Sequence, residues 1–424
     1  MNLRYICSSL LLLLAGCGSN SDPLAQNTNS AENQINTQTS EANSSAIVRS
    51  KGVPDAVQST FGLSVPRGFK VNLFAEGLSV PRRLVIAPGA TTQKYDVFVS
   101  ESAANRVRVL RETNGDGKAD EKFIFASDLN QPYGLDFHPD GWLYQANTDA
   151  VQRFRYRNGQ TKATGEPEFI TKLTEGGYNQ HWTRNLLFSR DAKKLYVSVG
   201  SSCNTCEEDN PMRAAISQMN PDGSGKRLFA TGLRNPVGMD WRPDTQELWT
   251  VVNERDNVGD DVPPDYLTQV RDGAFYGWPY AYTTIEGRVT ADPSFGDKNP
   301  QKVRETRPPT VPVQAHSAAL GLRFYSVVPS ALATTGTKYF PAEFRGDAFL
   351  AYHGSWNRSS PTGYKIVRVD FENGKPVSIS DFVTGFLSNG NVKGRPVDVT
   401  MAPDGSLLFS DDGGGKIWRV SYDG

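Results

Sequence analysis

The residues in this chain that could do chemistry are a few histidines and arginines, and they recur at matching positions. His181 opens Gln180-His181-Trp182-Thr183-Arg184-Asn185, and Arg234-Asn235-Pro236 lies in GLRNPVGMDW, Gly232 to Trp241. His353-Gly354-Ser355-Trp356-Asn357-Arg358 and Gly394-Arg395-Pro396-Val397-Asp398-Val399 follow. Each polar group sits beside an apolar alternation of strand type. An imidazole that is neutral near pH 7 can take a proton from a hydroxyl. Guanidinium forks match carboxylates at two points and so suit an anionic ligand.

Side chains so spaced need a repeating scaffold. The phrase around Gly238-Met239-Asp240-Trp241, followed by a turn at Arg242-Pro243-Asp244 and a second run Glu247 to Val252, reads as a β-hairpin. It returns at Arg83 to Pro88, Gly134 to Gly141, Asn185 to Asp191, Gly321 to Tyr325 and Val397 to Gly405. Copies spaced by roughly fifty residues, then by more, have the period of four-stranded blades with insertions. The expected fold is therefore all-β, a six-bladed β-propeller of four-stranded antiparallel blades. The longest insertions fall between Glu254 and Pro312 and between Ser326 and Arg345, and such insertions often build a site.

In a propeller the segment entering the innermost strand and the segment leaving the second strand share one face. Five residues before the apolar pairs Leu135/Phe137, Leu186/Phe188, Met239/Trp241, Leu322/Phe324 and Val399/Met401 stand Asn130, His181, Arg234, Ser317 and Gly394. His316 and Arg395 adjoin the last two, and the second strands are followed by Glu101, Asn147, Ser201, Glu254, His353 and Asp411-Asp412. One rim should gather arginines, histidines and carboxylates, a coincidence that points to a site.

With 45 basic and 46 acidic side chains in 424 residues, nothing suggests a nucleic-acid footprint. The N-terminus has Arg4, an apolar run Leu10 to Leu14, and Leu14-Ala15-Gly16-Cys17, the layout of an export signal. It resembles a bacterial lipobox, which implies a signal peptide over 1–16 and lipidation of Cys17. An ordinary secretory signal is the plainer alternative. Residues 17–55 read as a lipidated cysteine and a polar tether poor in aromatics, and 56–424 as the propeller. The protein is expected to be exported and anchored to the outer membrane or cell surface. No other stretch is long and apolar enough to span a bilayer.

Together with Tyr276-Gly277-Trp278-Pro279, the five motifs in this order resemble the pyrroloquinoline quinone (PQQ)-dependent sugar dehydrogenases, from Val65 to Ser421. The sorbosone dehydrogenase-like branch, related to soluble quinoprotein glucose dehydrogenase and aldose sugar dehydrogenase, is the nearest in pattern. The resemblance implies PQQ and Ca²⁺ as cofactors, and oxidation of an aldose or related sugar to a lactone or acid by hydride transfer to the quinone. It implies His181 as the base and Arg234 with Ca²⁺ as stabilisers of the developing oxyanion. Arg234, Asn235, His353, Trp356, Arg358 and Arg395 would bind the cofactor, and the loop Glu254, Arg255, Asp256 would hold calcium through backbone oxygens. The family's pattern is less charged at Arg255 and Asp256, and its cofactor-binding lysine near His353 has no counterpart.

Two motifs remain. Asn114, Asp116 and Asp120 alternate in a loop like a calcium site, but Phe123 stands where a bidentate Glu would be, so a second calcium site and a plain hairpin turn are both open. Cys203-Asn204-Thr205-Cys206 is a single CxxC in an exported chain, which favours a local disulfide over zinc. Glu207 follows Cys206, so there is no haem-attachment CxxCH, and electrons must leave to a separate acceptor, a cytochrome or quinone. Two other functions fit a polar propeller rim: a calcium-dependent lactonase, and a non-catalytic propeller that binds a glycan or protein.

Overall fold

The computed structural model describes residues 47–50, 52–174, 181–326 and 339–424. Cys17 and the signal-peptide reading lie outside them. Six antiparallel sheets form the blades of a β-propeller. Blade 1 is Pro81–Ile86, Tyr95–Glu101, Arg106–Glu112 and Glu121–Ala126; blade 2 is Leu135–His138, Trp142–Ala146, Ala150–Arg155 and Glu168–Lys172. Blade 3 is Arg184–Phe188, Leu195–Val199, Ala215–Met219 and Arg227–Thr231; blade 4 is Asn235–Trp241, Leu248–Asn253, Tyr266–Gln269 and Val311–Pro312. Blade 5 is Ala319–Phe324, Ala348–Tyr352, Lys365–Glu372 and Lys375–Val383. Blade 6 takes Pro396–Met401, Leu407–Asp411 and Lys416–Tyr422 from the C-terminus and its outer strand, Phe69–Glu76, from the N-terminal side. That exchange closes the ring.

The repeated phrase is the innermost strand of each blade, and its composition follows from crowding at the axis. A Cβ on Gly238 would lie 2.6 Å from the Leu320 carbonyl oxygen, and one on Gly321 would lie 2.7 Å from Cα of Asp398. Only glycine lets the inner strands approach so closely. The polar residue of the phrase reaches across the same gap. Asp136 accepts from the Phe188 amide at 2.9 Å, Asp240 from Phe324 at 2.8 Å and Asp398 from Leu84 at 2.8 Å, while Asn185 donates to the Val237 carbonyl at 2.7 Å. Arg83, fully buried, pairs with Asp398 at 3.1 Å, and Arg323 pairs with Asp240 at 3.2 Å. Apolar residues on the sheet faces then fill the spaces between blades, as with Trp249, Phe324 and Leu350.

The inner strands of blades 1 and 6 begin at Pro81 and Pro396, that of blade 4 has Pro236 as its second residue, and each has a bulge directly after the proline. Proline is tolerated at a strand's first residue, and the bulge turns the entering segment towards the axis.

The tether reading for 17–55 needs one correction. Val48–Arg49 pairs in parallel with Ser378 and Ile379 as a fifth strand of blade 5, and Arg49 donates to the Pro312 carbonyl at 2.9 Å. Backbone pairing holds this segment although both residues are exposed.

Candidate active site

The entering and leaving segments of blades 1, 3, 4, 5 and 6 enclose a cavity of about 680 Å³ on the axis. His181, Arg234, Asn235, Glu254, Asp256, His353, Trp356 and Arg395 line it, as the register of the repeats requires. The segments leaving and entering blade 2, at Asn147 and Asn130, do not; Asn147 accepts from the Asn130 amide at 3.1 Å and closes that corner.

His181 is buried, with Nδ1 2.9 Å from Ser201 Oγ and 3.3 Å from the Ser201 carbonyl oxygen. The Ser201 hydroxyl donates to the Cys203 carbonyl at 2.7 Å. Ser201 Oγ is therefore the acceptor and Nδ1 carries the proton, which leaves the lone pair on Nε2. Burial, then the positive charges of Arg234, Arg184 and Arg213, hold the imidazole pKa well below its usual value against the opposing Ser201 hydrogen bond. His181 is thus a neutral base at neutral pH.

Arg234 is buried and engaged. Nε donates to the Asn204 carbonyl at 3.1 Å, Nη2 to Asn204 Oδ1 at 3.0 Å and to Asp256 at 2.8 Å, and Nη1 to the Glu254 carbonyl. It places a fixed positive charge in the cavity wall. Arg395 differs: among the described residues its guanidinium donates only to the carbonyls of His353 and Gly354, both at 3.4 Å, and it lies 5.8 Å from the centre of the Tyr364 ring. It is the cavity arginine best able to take a carboxylate in a two-point contact. Trp356 is 60% exposed at the mouth and offers a flat apolar face.

Asp412 accepts from His353 Nε2 at 3.0 Å and pairs with Arg82, whose guanidinium also lies 5.2 Å over the Trp182 ring. Burial, reinforced by Arg82 and Arg395 and opposed by Asp412, lowers the His353 pKa to about 4. Burial alone would raise Asp412, but His353 and Arg82 outweigh it and hold the carboxyl well below its usual range. The opposite wall is acidic. Burial raises Glu254 to about 7 despite Arg234, and raises Asp265, which accepts from the Glu254 and Ala318 amides. His316 donates from Nε2 to the Gly259 carbonyl at 2.8 Å.

Several expected site residues lie elsewhere. Arg358 does not line the cavity; its guanidinium turns to the Asp260 and Ala315 carbonyls and to Asp261, tying one loop to another. The Arg255 side chain is buried against Asp292 of the insertion, which leaves the expected ligation through the loop's backbone oxygens untouched. Asn114, Asp116 and Asp120 form an ordinary turn. Asp120 accepts from the Thr113 amide and hydroxyl and from Asn114 Nδ2, and Asn114 Oδ1 accepts from the Asp116 amide. Cys203 and Cys206 are joined as a disulfide. Arg82, Asp265 and Asn204 were not legible as site residues. Arg82 falls inside the blade 1 bulge, out of step with the five-residue offset, and Asp265 enters from a third strand.

Residues 63–423 match the model of a family described as TrAA12-like. An uncharacterized protein of Borreliella burgdorferi is 29% identical over 381 residues, covering 87% of this chain and 93% of that protein. A pyrroloquinoline quinone-dependent pyranose dehydrogenase of Coprinopsis cinerea is 24% identical over 429 residues; the match covers 87% of this chain but only 56% of that relative. Among solved structures, the calcium structure of the Trichoderma reesei carbohydrate-active enzyme of family AA12 superposes with a TM-score of 0.72 at 22% identity, covering 88% of this chain and 100% of that one.

The His353 pair carries a pH dependence with a defined sign. Between its ordinary value of 6.5 and its native value of about 4, the unfolded chain binds a proton that the native protein refuses. His353 therefore costs stability as pH falls through that window, whereas the raised Glu254 acts in the opposite sense. His353→Gln should gain on the wild type in melting temperature as pH drops from 6.5 to 4, with a constant difference above pH 7. A constant difference across the whole range would show that His353 is not held neutral by its surroundings.

Proposed function

The chain belongs to the TrAA12-like family, and on that premise we propose that it is a PQQ-dependent dehydrogenase that oxidises an aldose or related sugar. The observation that carries this reading is the convergence in one cavity of His181, a neutral base with its lone pair on Nε2, with Arg82, Arg234 and Arg395 and the exposed face of Trp356. A planar tricarboxylate fits this donor set: Arg395 has no carboxylate partner among the described residues, Trp356 gives a stacking face, and Arg82 and Arg234 add positive charge to the walls. Calcium fits the acidic wall. The Glu254 carbonyl is already taken by Arg234, so the buried carboxylates of Glu254 and Asp265 are the better donors.

When bound, the quinone supplies a hydride acceptor and the calcium ion a Lewis acid. The chain's own residues do the rest. Nε2 of His181 takes the proton of the anomeric hydroxyl, and the Nδ1–H bond to Ser201 keeps the ring in that tautomer. The fixed charge of Arg234 favours negative charge developing on the sugar oxygen. The walls of Trp182, Leu320 and Trp356 exclude water from the reacting face. The product is a lactone or acid, and the electrons pass to a separate acceptor, a cytochrome or quinone.

Apo-protein given PQQ and Ca²⁺ should reduce an artificial dye when an aldose is added. His181→Ala should lower kcat by at least about 10² while PQQ affinity and melting temperature hold; near-normal turnover would refute the role of His181. Arg395→Ala should weaken PQQ binding by about 2 to 3 kcal/mol, the range for a hydrogen bond to a charged group, and Lys should restore only part. The same titration should be unchanged in Arg358→Ala, because that side chain faces away from the cavity. A loss confined to Arg358→Ala would move the cofactor to the loop.

The same reading places the enzyme outside the cytoplasm, tethered through a lipidated Cys17. Its support is the Leu14-Ala15-Gly16-Cys17 run and the polar stretch behind it. Cys17→Ser should move the activity from the membrane fraction to the soluble one, and activity that still sediments with membranes would refute the anchor.

A further inference from the structure

We propose that the disulfide-closed loop from Ser201 to Cys206 is the positioning element of the active site: through Asn204 it aims Arg234, and through Ser201 it sets the tautomer of His181. The claim about turnover rests on the reading of His181 as the base.

His181 enters blade 3 and Arg234 enters blade 4, and they meet at one short segment that leaves the second strand of blade 3. That segment, Ser-Ser-Cys-Asn-Thr-Cys, has no large apolar side chain to fix it by burial. Covalent and polar contacts hold it instead, among them two hydrogen bonds from Ser202 to Glu208. Cys203 and Cys206 are bonded to each other. Trp278, buried in the Tyr-Gly-Trp-Pro turn of the long insertion, donates from Nε1 to the Asn204 carbonyl at 3.0 Å. The Asn204 side chain donates to the Asp256 carbonyl at 3.1 Å and accepts from the Asp256 amide at 2.8 Å.

So fixed, Asn204 presents its carbonyl oxygen and its Oδ1 side by side to Nε and Nη2 of Arg234, at 3.1 and 3.0 Å. A neutral residue thus receives the guanidinium edge in the two-point geometry of a carboxylate, without cancelling its charge. Asn204 does not line the cavity, so it acts only through Arg234 and the Asp256 loop.

The second half of the device is the Ser201 hydroxyl. The Ser201 carbonyl, 3.3 Å from Nδ1, can only accept and so favours Nδ1–H, whereas a hydroxyl can donate or accept, and whichever it does towards Nδ1 reinforces or opposes that tautomer. Its donation to the Cys203 carbonyl at 2.7 Å commits Ser201 Oγ to accept from Nδ1. If the loop opens and that carbonyl withdraws, the hydroxyl can turn and donate to Nδ1. The proton then moves to Nε2, and the cavity loses its base. The Ser201 amide also donates to the Arg234 backbone carbonyl at 2.8 Å, so the same residue ties the two segments together.

The chain has four histidines, which makes their imidazole nitrogens resolvable in ¹⁵N-labelled full-length protein. In the wild type, with or without PQQ, His181 should show a protonated Nδ1 and an unprotonated Nε2. Cys203→Ala/Cys206→Ala should give a mixture containing the Nε2–H form, and kcat for sugar-dependent dye reduction should fall at least tenfold with KM little changed. Asn204→Ala keeps the disulfide, and it decides the question if the double variant does not fold. With Arg234 freed along its Asn204 edge and held only by Asp256 and the backbone beside it, its share of the depression of His181 weakens while burial, Arg184 and Arg213 still act, so the acid limb of kcat/KM should move to higher pH and the His181 nitrogen titration should move with it. A purely structural loop would lower the melting temperature and leave tautomer and titration as in the wild type; that result, with kcat within twofold, overturns the proposal. If wild-type protein loaded with PQQ oxidises no sugar, the functional reading fails, while the nitrogen spectra still decide whether the loop sets His181.

Discussion

Hydrogen bonds across the gaps between inner strands hold this propeller in register, and the rest of the structure depends on them. Where glycine brings two strands within contact at Gly238 and Gly321, a buried carboxylate or amide crosses to the next blade, at Asp136, Asn185, Asp240 and Asp398. Such groups cost a great deal to bury unless paired. Here each takes a backbone partner, and Arg83 and Arg323 balance part of the charge. A slip of one residue in any inner strand would strand these groups, so the angular position of every blade is fixed. The residues at the strand ends inherit that precision.

Two walls of opposite character follow. Arg82 and Arg395 stand on the blade 1 and blade 6 side, with the His353 and Asp412 pair between them, and Glu254, Asp256 and Asp265 stand on the blade 4 side. An anionic planar ligand is drawn to the first wall and a divalent cation to the second, and a ligand that chelates the cation would join the two. His181 and Arg234 lie where the walls meet. Burial keeps the imidazole neutral, as a base requires, and Arg234 pairs with Asp256 while Asn204 accepts two more of its hydrogen bonds without adding a second countercharge.

Much of this was legible in the sequence because it follows from period. The Gly-Leu-Asp-Phe phrase gave the inner strands, and the offset of five residues placed His181 and Arg234 on one rim. Side-chain direction in loops is not periodic, and there the reading failed. Arg358 follows Trp356 and Asn357 closely, yet it turns to Asp260 and Asp261 while they face the cavity. Arg82 was hidden by the bulge after Pro81, which breaks the offset. The calcium-like spacing from Asn114 to Asp120 serves a turn equally well, since an Asx turn uses the same oxygens at the same alternation. Asn204 carried no signal of its own, because its role exists only through partners 30 and 52 residues away.

The central claim is that this cavity carries a sugar's electrons to a bound quinone. Its most direct test is a single turnover without any dye. Protein loaded with PQQ and Ca²⁺, freed of excess cofactor by gel filtration, is mixed anaerobically with excess aldose while the absorbance of the oxidised quinone is followed. The structure predicts that the quinone absorbance is lost to one equivalent of cofactor per chain and that the sugar is recovered as lactone or acid. Cofactor that washes off the protein, or that stays bound and oxidised with every aldose tried, would contradict it.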